Sequence, residues 1–409
     1  MTKTAGNGFL YNVLFIFFLY LYINNPLLQL TNGIGSIKLL YPIALIYILK
    51  NLKQSLYFFK LIHKEIVVFI CLFVYTILRT AFGGDDAAIR VFAVAVYENI
   101  FISIFLVVFL VNLKKSDWLD SIIITGIVGA LISVFSLLNP SINLFIKGIQ
   151  VLSEFSMESD FRSFGLAEGL TFSYGISQAI ILCLLIINSK KRMLFLLFTP
   201  LFIVSSLFNA RTGIIIVVLI LVYAIIAFRR IKLLIFLIAL LFVISILSDQ
   251  LIILLDNDKS FDWINNFYLE IGDLFTGSTN ADYNTTQTLF VDMVVLPSNT
   301  IEWIFGSGQS LFLSYSNSTD VGFFLQLNYG GLVFTGMLLI LVLMIFFKTF
   351  KEKESRWFSV LFLISFFIAN MKGDFIPSTG AFRLLFFVYL CLLYYNKKTM
   401  FVETNKIVK

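Results

Sequence analysis

The sequence predicts an all-α polytopic membrane protein with about twelve transmembrane helices and a large outer-face loop of short helices. Composition is the first reason. Of 409 residues, 59% are hydrophobic and only 13% charged, and the mean hydropathy is +0.94, more apolar surface than a soluble core requires. The second reason is the recurrence of apolar runs of about 15–22 residues, close to the length that spans a bilayer. The third is an absence: no ten-residue strands of alternating hydrophobicity are found, which argues against an outer-membrane barrel.

In order, the runs lie at about 9–23, 36–49, 66–82, 91–111, 119–138, 166–187, 193–208, 213–228, 231–247, 321–347, 357–370 and 381–395. The first follows a single lysine and precedes Asn24-Asn25-Pro26 rather than a small-residue cleavage site, so it reads as a retained helix. The whole chain, 1–409, is expected to form one integral membrane domain. Cys71, Cys183 and Cys391 each fall inside an apolar run; three thiols on separate helices give neither a disulfide framework nor a metal spacing.

The net charge of +6 is a topology signal, not a nucleic-acid patch. Lys50/Lys53/Lys60/Lys64, Lys114/Lys115, Lys190/Lys191/Arg192, Arg229/Arg230/Lys232, Lys348/Lys351/Lys353/Arg356 and Lys397/Lys398 all occupy alternate loops. The positive-inside rule then places those loops and both termini in the cytoplasm. The opposite loops include two long ones, 139–165 and 248–320. A structureless loop of about 70 residues is improbable, so 248–320 is expected to fold as a lid. Phe261, Ile264, Phe267/Tyr268, Ile271 and Leu274/Phe275 form a helical stripe in it. Tyr283–Leu296 reads as a second helix, ended before Pro297, and Asn299 is placed to cap a short third one. In 139–165, Ile142, Phe145/Ile146, Ile149, Leu152 and Phe155 repeat the stripe, followed by the acidic stretch Glu154–Asp160.

The outer side also carries Arg79, Arg90, Arg162, Arg211 and Arg383, although topology disfavours cations there. Arginine suits bidentate contact with phosphate; an interfacial snorkel or a structural salt bridge is the alternative for any one of them. Arg211 lies in Asn209-Ala210-Arg211-Thr212-Gly213, a polar break with almost no loop between two apolar runs. Arg162 opens Arg162-Ser163-Phe164-Gly165-Leu166-Ala167-Glu168-Gly169, where Arg162 and Glu168 can face one cavity or simply pair. Asp320 stands at the mouth of a helix, with Gln326, Asn328 and Tyr329-Gly330-Gly331 beyond it, and can serve chemistry or cap the helix. Glu98 is an intramembrane acid eight residues after Arg90, open to proton coupling or to pairing.

Several chemistries are excluded. His63 is the only histidine and maps to a cytoplasmic loop, which removes an outer-face histidine base or zinc ligand. No phosphate-cradling glycine-rich loop leads into Lys-Ser/Thr, so an ATPase is not expected. No cofactor and no metal is called for.

Taken together, Arg162-Ser163-Phe164-Gly165 before a helix, Asn209–Gly213 between two helices, and Gly306-Ser307-Gly308 with Asp320–Gly336 after a long outer loop resemble the O-antigen and capsular polysaccharide polymerase family (Wzy-type), related to the O-antigen ligases. The resemblance covers residues 155–345 by motif and the whole chain by helix pattern. It implies a GT-C-type glycosyltransferase of the bacterial inner membrane, working on lipid-linked glycans at the outer face. Undecaprenyl-diphosphate-linked repeat units would be both donor and acceptor, with membrane lipid and a chain-length regulator as partners. Ligases usually carry a histidine near the position of Asp320, and its absence favours the polymerase. Under this reading Arg211 and Arg162 bind the diphosphate, Arg90 and Arg383 help, and Asp320 or Glu168 is the base. The alternatives are ligase-type transfer to another acceptor and, in a different class, a lipid-linked oligosaccharide flippase.

Overall fold

The computed structural model describes residues 5–31, 35–113, 117–151, 162–168, 171–229, 269, 291–309, 319–376 and 379–407. Helices cover the described apolar runs, and no β-strand occurs among the described residues. The run 231–247, the stripe Phe261–Phe275 and the acidic stretch Glu154–Asp160 lie outside the described residues. Four described helices are long and apolar enough to cross a bilayer: Ala88–Asn112, Trp118–Leu138, Arg211–Phe228 and Gly322–Phe350. A bent pair, Leu52–Leu61 with His63–Ala81 at 76°, makes a fifth if it is one span. The apolar helices point to a membrane protein, and the other expected spans that fall on described residues are shorter helices. The run 36–49 illustrates why: a 3-10 turn at Ser36–Leu39 leaves an α-helix of only 11 residues, Leu40–Lys50, about 16 Å long against a core of about 30 Å.

The chain divides into two compact units. The first comprises residues 1–25, 35–125 and 295–409. It contains α1 (Ala5–Asn24), α2 (Leu40–Lys50), α3 (Leu52–Leu61), α4 (His63–Ala81), α5 (Ala87–Val96) and α6 (Ser103–Asn112). A π-helical turn, Tyr97–Ile102, joins α5 to α6. The first part of α7 (Trp118–Leu138) belongs here too, with α12 (Thr300–Phe305), α13 (Gly322–Phe350), α14 (Arg356–Asn370) and α15 (Gly380–Ile407). Its core is aromatic: Phe15 on α1 lies against Phe109 on α6 at 6.1 Å and Phe387 on α15 at 6.3 Å. Two boundaries depart from the sequence reading. The basic segment 50–64, expected as a loop, contains α3, which buries Ser55, Phe58 and Leu61 and leaves its lysines outside. Arg90, expected in a loop, is an exposed residue of α5.

A break in α13 organises the outer part of this unit. Gly331 has φ +63° inside the helix, a conformation open to glycine at little cost. The break frees carbonyls that an intact helix would use, and each finds a donor. The Ser307 N–H reaches Asn328 O at 2.7 Å and the Gly308 N–H reaches Tyr329 O at 2.9 Å, while Tyr75 OH donates to Gly330 O at 2.9 Å. Arg79 clamps the same segment by donating to Gly306 O at 2.8 Å. The expected short helix is present as α12, where Asn299 Oδ1 accepts from the Glu302 N–H at 3.0 Å. Ser298 donates to Glu302 in return, closing a capping box that holds the Glu302 carboxyl below its ordinary pKa. Of the expected helix Tyr283–Leu296 only the end is described, and there helical geometry stops at Asp292.

The second unit comprises residues 26–34 and 126–294. It holds the rest of α7, then α8 (Pro140–Gly148), α9 (Thr171–Ile187), α10 (Thr199–Asn209) and α11 (Arg211–Phe228). Asn139 caps α8 through Oδ1, so the stripe at Ile142, Phe145 and Ile146 is helical as expected. Of these, Ile146 is buried and Phe145 exposed. An antiparallel bridge between Leu28 and Gln150 ties the segment 26–31 to the end of α8. Close helix approach depends on glycine: a Cβ on Gly175 of α9 would come within 2.6 Å of the Ala210 Cβ.

Candidate functional site

In the second unit two separate sequence motifs meet. Between α10 and α11 only Ala210 leaves helical geometry, with φ −153° and ψ 97°. The break is therefore one residue wide, and Arg211 becomes the first residue of α11. A cation at that end faces the positive pole of the helix dipole. Asn209 then reaches across: its Nδ2 donates to Ser163 O at 2.9 Å and to Ser205 O at 2.7 Å. The segment beginning at Arg162 is thereby fixed beside the start of α11.

That segment is extended and turning through Glu168, not helical as expected for 166–168, and α9 is described from Thr171. Gly165 has φ +59°, and a Cβ there would meet Ile132 at 3.0 Å. Ser163 and Ser133 exchange hydroxyl-to-carbonyl bonds, the Ser163 hydroxyl reaching Ser133 O at 2.7 Å. Gln150 Nε2 donates to Gly165 O at 2.9 Å. Phe164, Ala167 and Tyr174 form a buried cluster beneath it. Arg162 and Arg211 both keep partial exposure above this base, whereas Glu168 is buried and accepts from the Ser173 hydroxyl at 3.3 Å. Asn209 Oδ1 and Thr212 Oγ1 are buried acceptors without a hydrogen bond among the described residues. Gln178, one turn along α9 from Gly175, has both amide atoms in that state; its place inside an apolar helix was the signal available in the sequence. Arg162 and Arg211 are the cations of the two joined motifs, and arginine suits bidentate contact with an anion.

The first unit gathers different members. Arg383 is buried against Glu98, with Nη1 2.8 Å from Oε2 and both side chains almost fully enclosed. Tyr41 OH donates to the other Glu98 oxygen at 3.1 Å. Glu98 thus pairs with Arg383 and not with Arg90. Arg383, expected to help bind diphosphate, has its charge answered by this carboxylate, because an intramembrane acid demands a cation.

Asp320 precedes α13 by two residues, and no side chain caps that helix. It is half-exposed and lies 3.3 Å from Lys372 Nζ. Behind the pair, Gln326 Nε2 donates to both Asn370 Oδ1 and Asp374 Oδ1 at 2.8 Å. Asp374 escaped the sequence reading because only the fold of 371–379 brings it to Gln326. It keeps some exposure, yet burial in this crowded turn pushes its carboxyl up to about 7. Asp320 and Asp374 thus lie in the first unit, and Glu168 in the second.

A helical membrane protein is the class these observations define: the described residues hold helices long and apolar enough to cross a bilayer and no strand. Set against protein-family models, curated proteins and solved structures, the chain matches none of them.

Proposed function

We propose that this chain is a polysaccharide polymerase of the bacterial inner membrane, with about twelve spans, a GT-C-like arrangement and both termini cytoplasmic. It joins undecaprenyl-diphosphate-linked repeat units at the outer face. The acceptor sugar hydroxyl attacks the anomeric carbon of the donor glycan, a new glycosidic bond forms, and the bond from that carbon to the diphosphate oxygen breaks. Negative charge builds on the departing lipid diphosphate, where Arg211 and Arg162 stabilise it. Arg90, exposed on α5, remains available as a helper. The acceptor proton passes to a carboxylate, Asp320 or Glu168. The donor carries its own leaving group, so the reaction draws on no nucleotide.

One observation carries the reading: the Asn209–Ser163 hydrogen bond, which joins the Arg162 segment to the helix that Arg211 begins. Two motifs 46 residues apart in sequence are pinned together, and both arginines keep partial exposure. The test is reconstitution of the purified chain with lipid-linked repeat units. Lengthened glycan on the lipid is the expected product; unaltered repeat units recovered with the enzyme folded would sink the proposal. A second reading, a flippase for the same lipid-linked glycans, draws on the break in α13 and on the enclosed Arg383–Glu98 pair, features that transporters place near their substrate path. Movement of the lipid across the bilayer without lengthening would select it.

A further inference from the structure

At the end of the first unit where α3 bends into α4, a cavity of about 530 Å³ opens between α4, the end of α13 and α15. Its polar wall includes Lys60, His63, Lys64, Glu65, Lys351 and Glu352. Glu65 is buried and already answered: Lys348 Nζ lies 3.0 Å away and Tyr389 OH also donates to it. Lys348 is itself fixed, donating to Leu61 O at 2.6 Å and sitting 5.7 Å from the centre of the Tyr389 ring. That leaves Lys60, Lys64 and Lys351 facing a single glutamate, Glu352, and none of these three lysines forms an ion pair among the described residues. Basic segments nearly 300 positions apart thus line one open cavity, where a bound anion would relieve their mutual repulsion.

The rest of the wall says more about that anion. Met344 and Phe347 line the cavity next to the lysines, and the exposed face of α13 continues with Leu343 and Ile340. From Lys351 to Ile340 is about 16 Å along the helix, close to half the thickness of a bilayer core. We propose that this cavity binds the phosphate of an anionic phospholipid, with Lys60, Lys64 and Lys351 on the headgroup and acyl chains along Phe347, Leu343 and Ile340. Basic pockets between membrane helices are suited to such headgroups. The inference needs only that the helices lie in a bilayer and is independent of the glycosyl-transfer reading.

Native mass spectrometry of the full-length chain in detergent, with phosphatidylglycerol, phosphatidylcholine or inorganic phosphate added, tests it. Phosphatidylglycerol should bind at least about tenfold more tightly than phosphatidylcholine, and more weakly as salt rises. The double variant Lys64→Gln/Lys351→Gln should lose that preference, and Lys64→Arg/Lys351→Arg should keep it. Failure of inorganic phosphate to displace the lipid assigns the site to a lipid headgroup; displacement at millimolar phosphate assigns the same lysines to free phosphate and overturns the lipid. Equal binding of both lipids by the wild-type chain, or a preference indifferent to salt, overturns the site without recourse to any variant.

Discussion

Arg383 on α15 and Arg211 at the start of α11 are guanidiniums at the edges of apolar helices, one in each compact unit, and their settings differ in what answers the charge. Arg383 is enclosed and meets Glu98 at 2.8 Å, with Tyr41 completing the carboxylate. Arg211 stays partly exposed at the positive end of a helix, next to Asn209, which holds the Arg162 segment. The first arrangement closes on itself and belongs to the fold. The second joins two motifs distant in the sequence beside a partly exposed cation, a scaffold of the kind a ligand site requires.

The comparison breaks if the two arginines respond alike to substitution. Arg383→Ala should cost about 3–5 kcal/mol by stranding Glu98 in an apolar interior, and the double change Arg383→Met/Glu98→Leu should recover most of it. Unfolding in detergent reads both. Arg211→Ala should leave unfolding nearly unchanged and lower polymerisation by about 10²–10³-fold. Asn209→Ala should lower it less, within about 10²-fold, because it displaces the Arg162 segment without removing a charge. Full polymerisation by folded Arg211→Ala protein would remove the central assignment.

Smaller effects sharpen the picture of the first unit. The Asp374 carboxyl is raised from 3.8 to about 7 in the folded chain, so between those values the folded state holds a proton that the unfolded state has released. Its contribution to stability therefore falls as pH rises through that window and levels off above it. Asp374→Asn should flatten the fall, as measured by unfolding midpoints between pH 4 and 8. The smallest change is expected for Lys372→Ala: its pair with Asp320 is exposed on both sides, and such pairs contribute about 0–1 kcal/mol.

Much of this fold was legible in the chain. Apolar runs located the helices, since backbone groups in a lipid-like interior must bond within their own segment. Asn299 announced its cap, because capping depends on neighbours three residues away. Boundaries were read less well where tertiary contacts decided them. Leu166–Glu168 continues an apolar run, yet Gly165 packs against Ile132 and the segment is not helical there. Lys50–Lys64 looks like a loop by charge, yet burial of Phe58 and Leu61 makes α3.

The candidate site divides in the same way. The sequence by itself determined that Arg211 lies in a polar break too short to move, because two apolar runs press on it from either side. It also marked Glu98 as an intramembrane acid, open to proton coupling or to pairing with a cation. Only the tertiary structure decided which cation that is, since Arg383 stands 285 positions away, and which segment meets Arg211, since Asn209 reaches Ser163 only once α9 and α10 have packed through Gly175. Periodicity and charge act over a few residues and are written along the chain, whereas partnership between distant polar groups follows from close packing of helices, which no local pattern encodes.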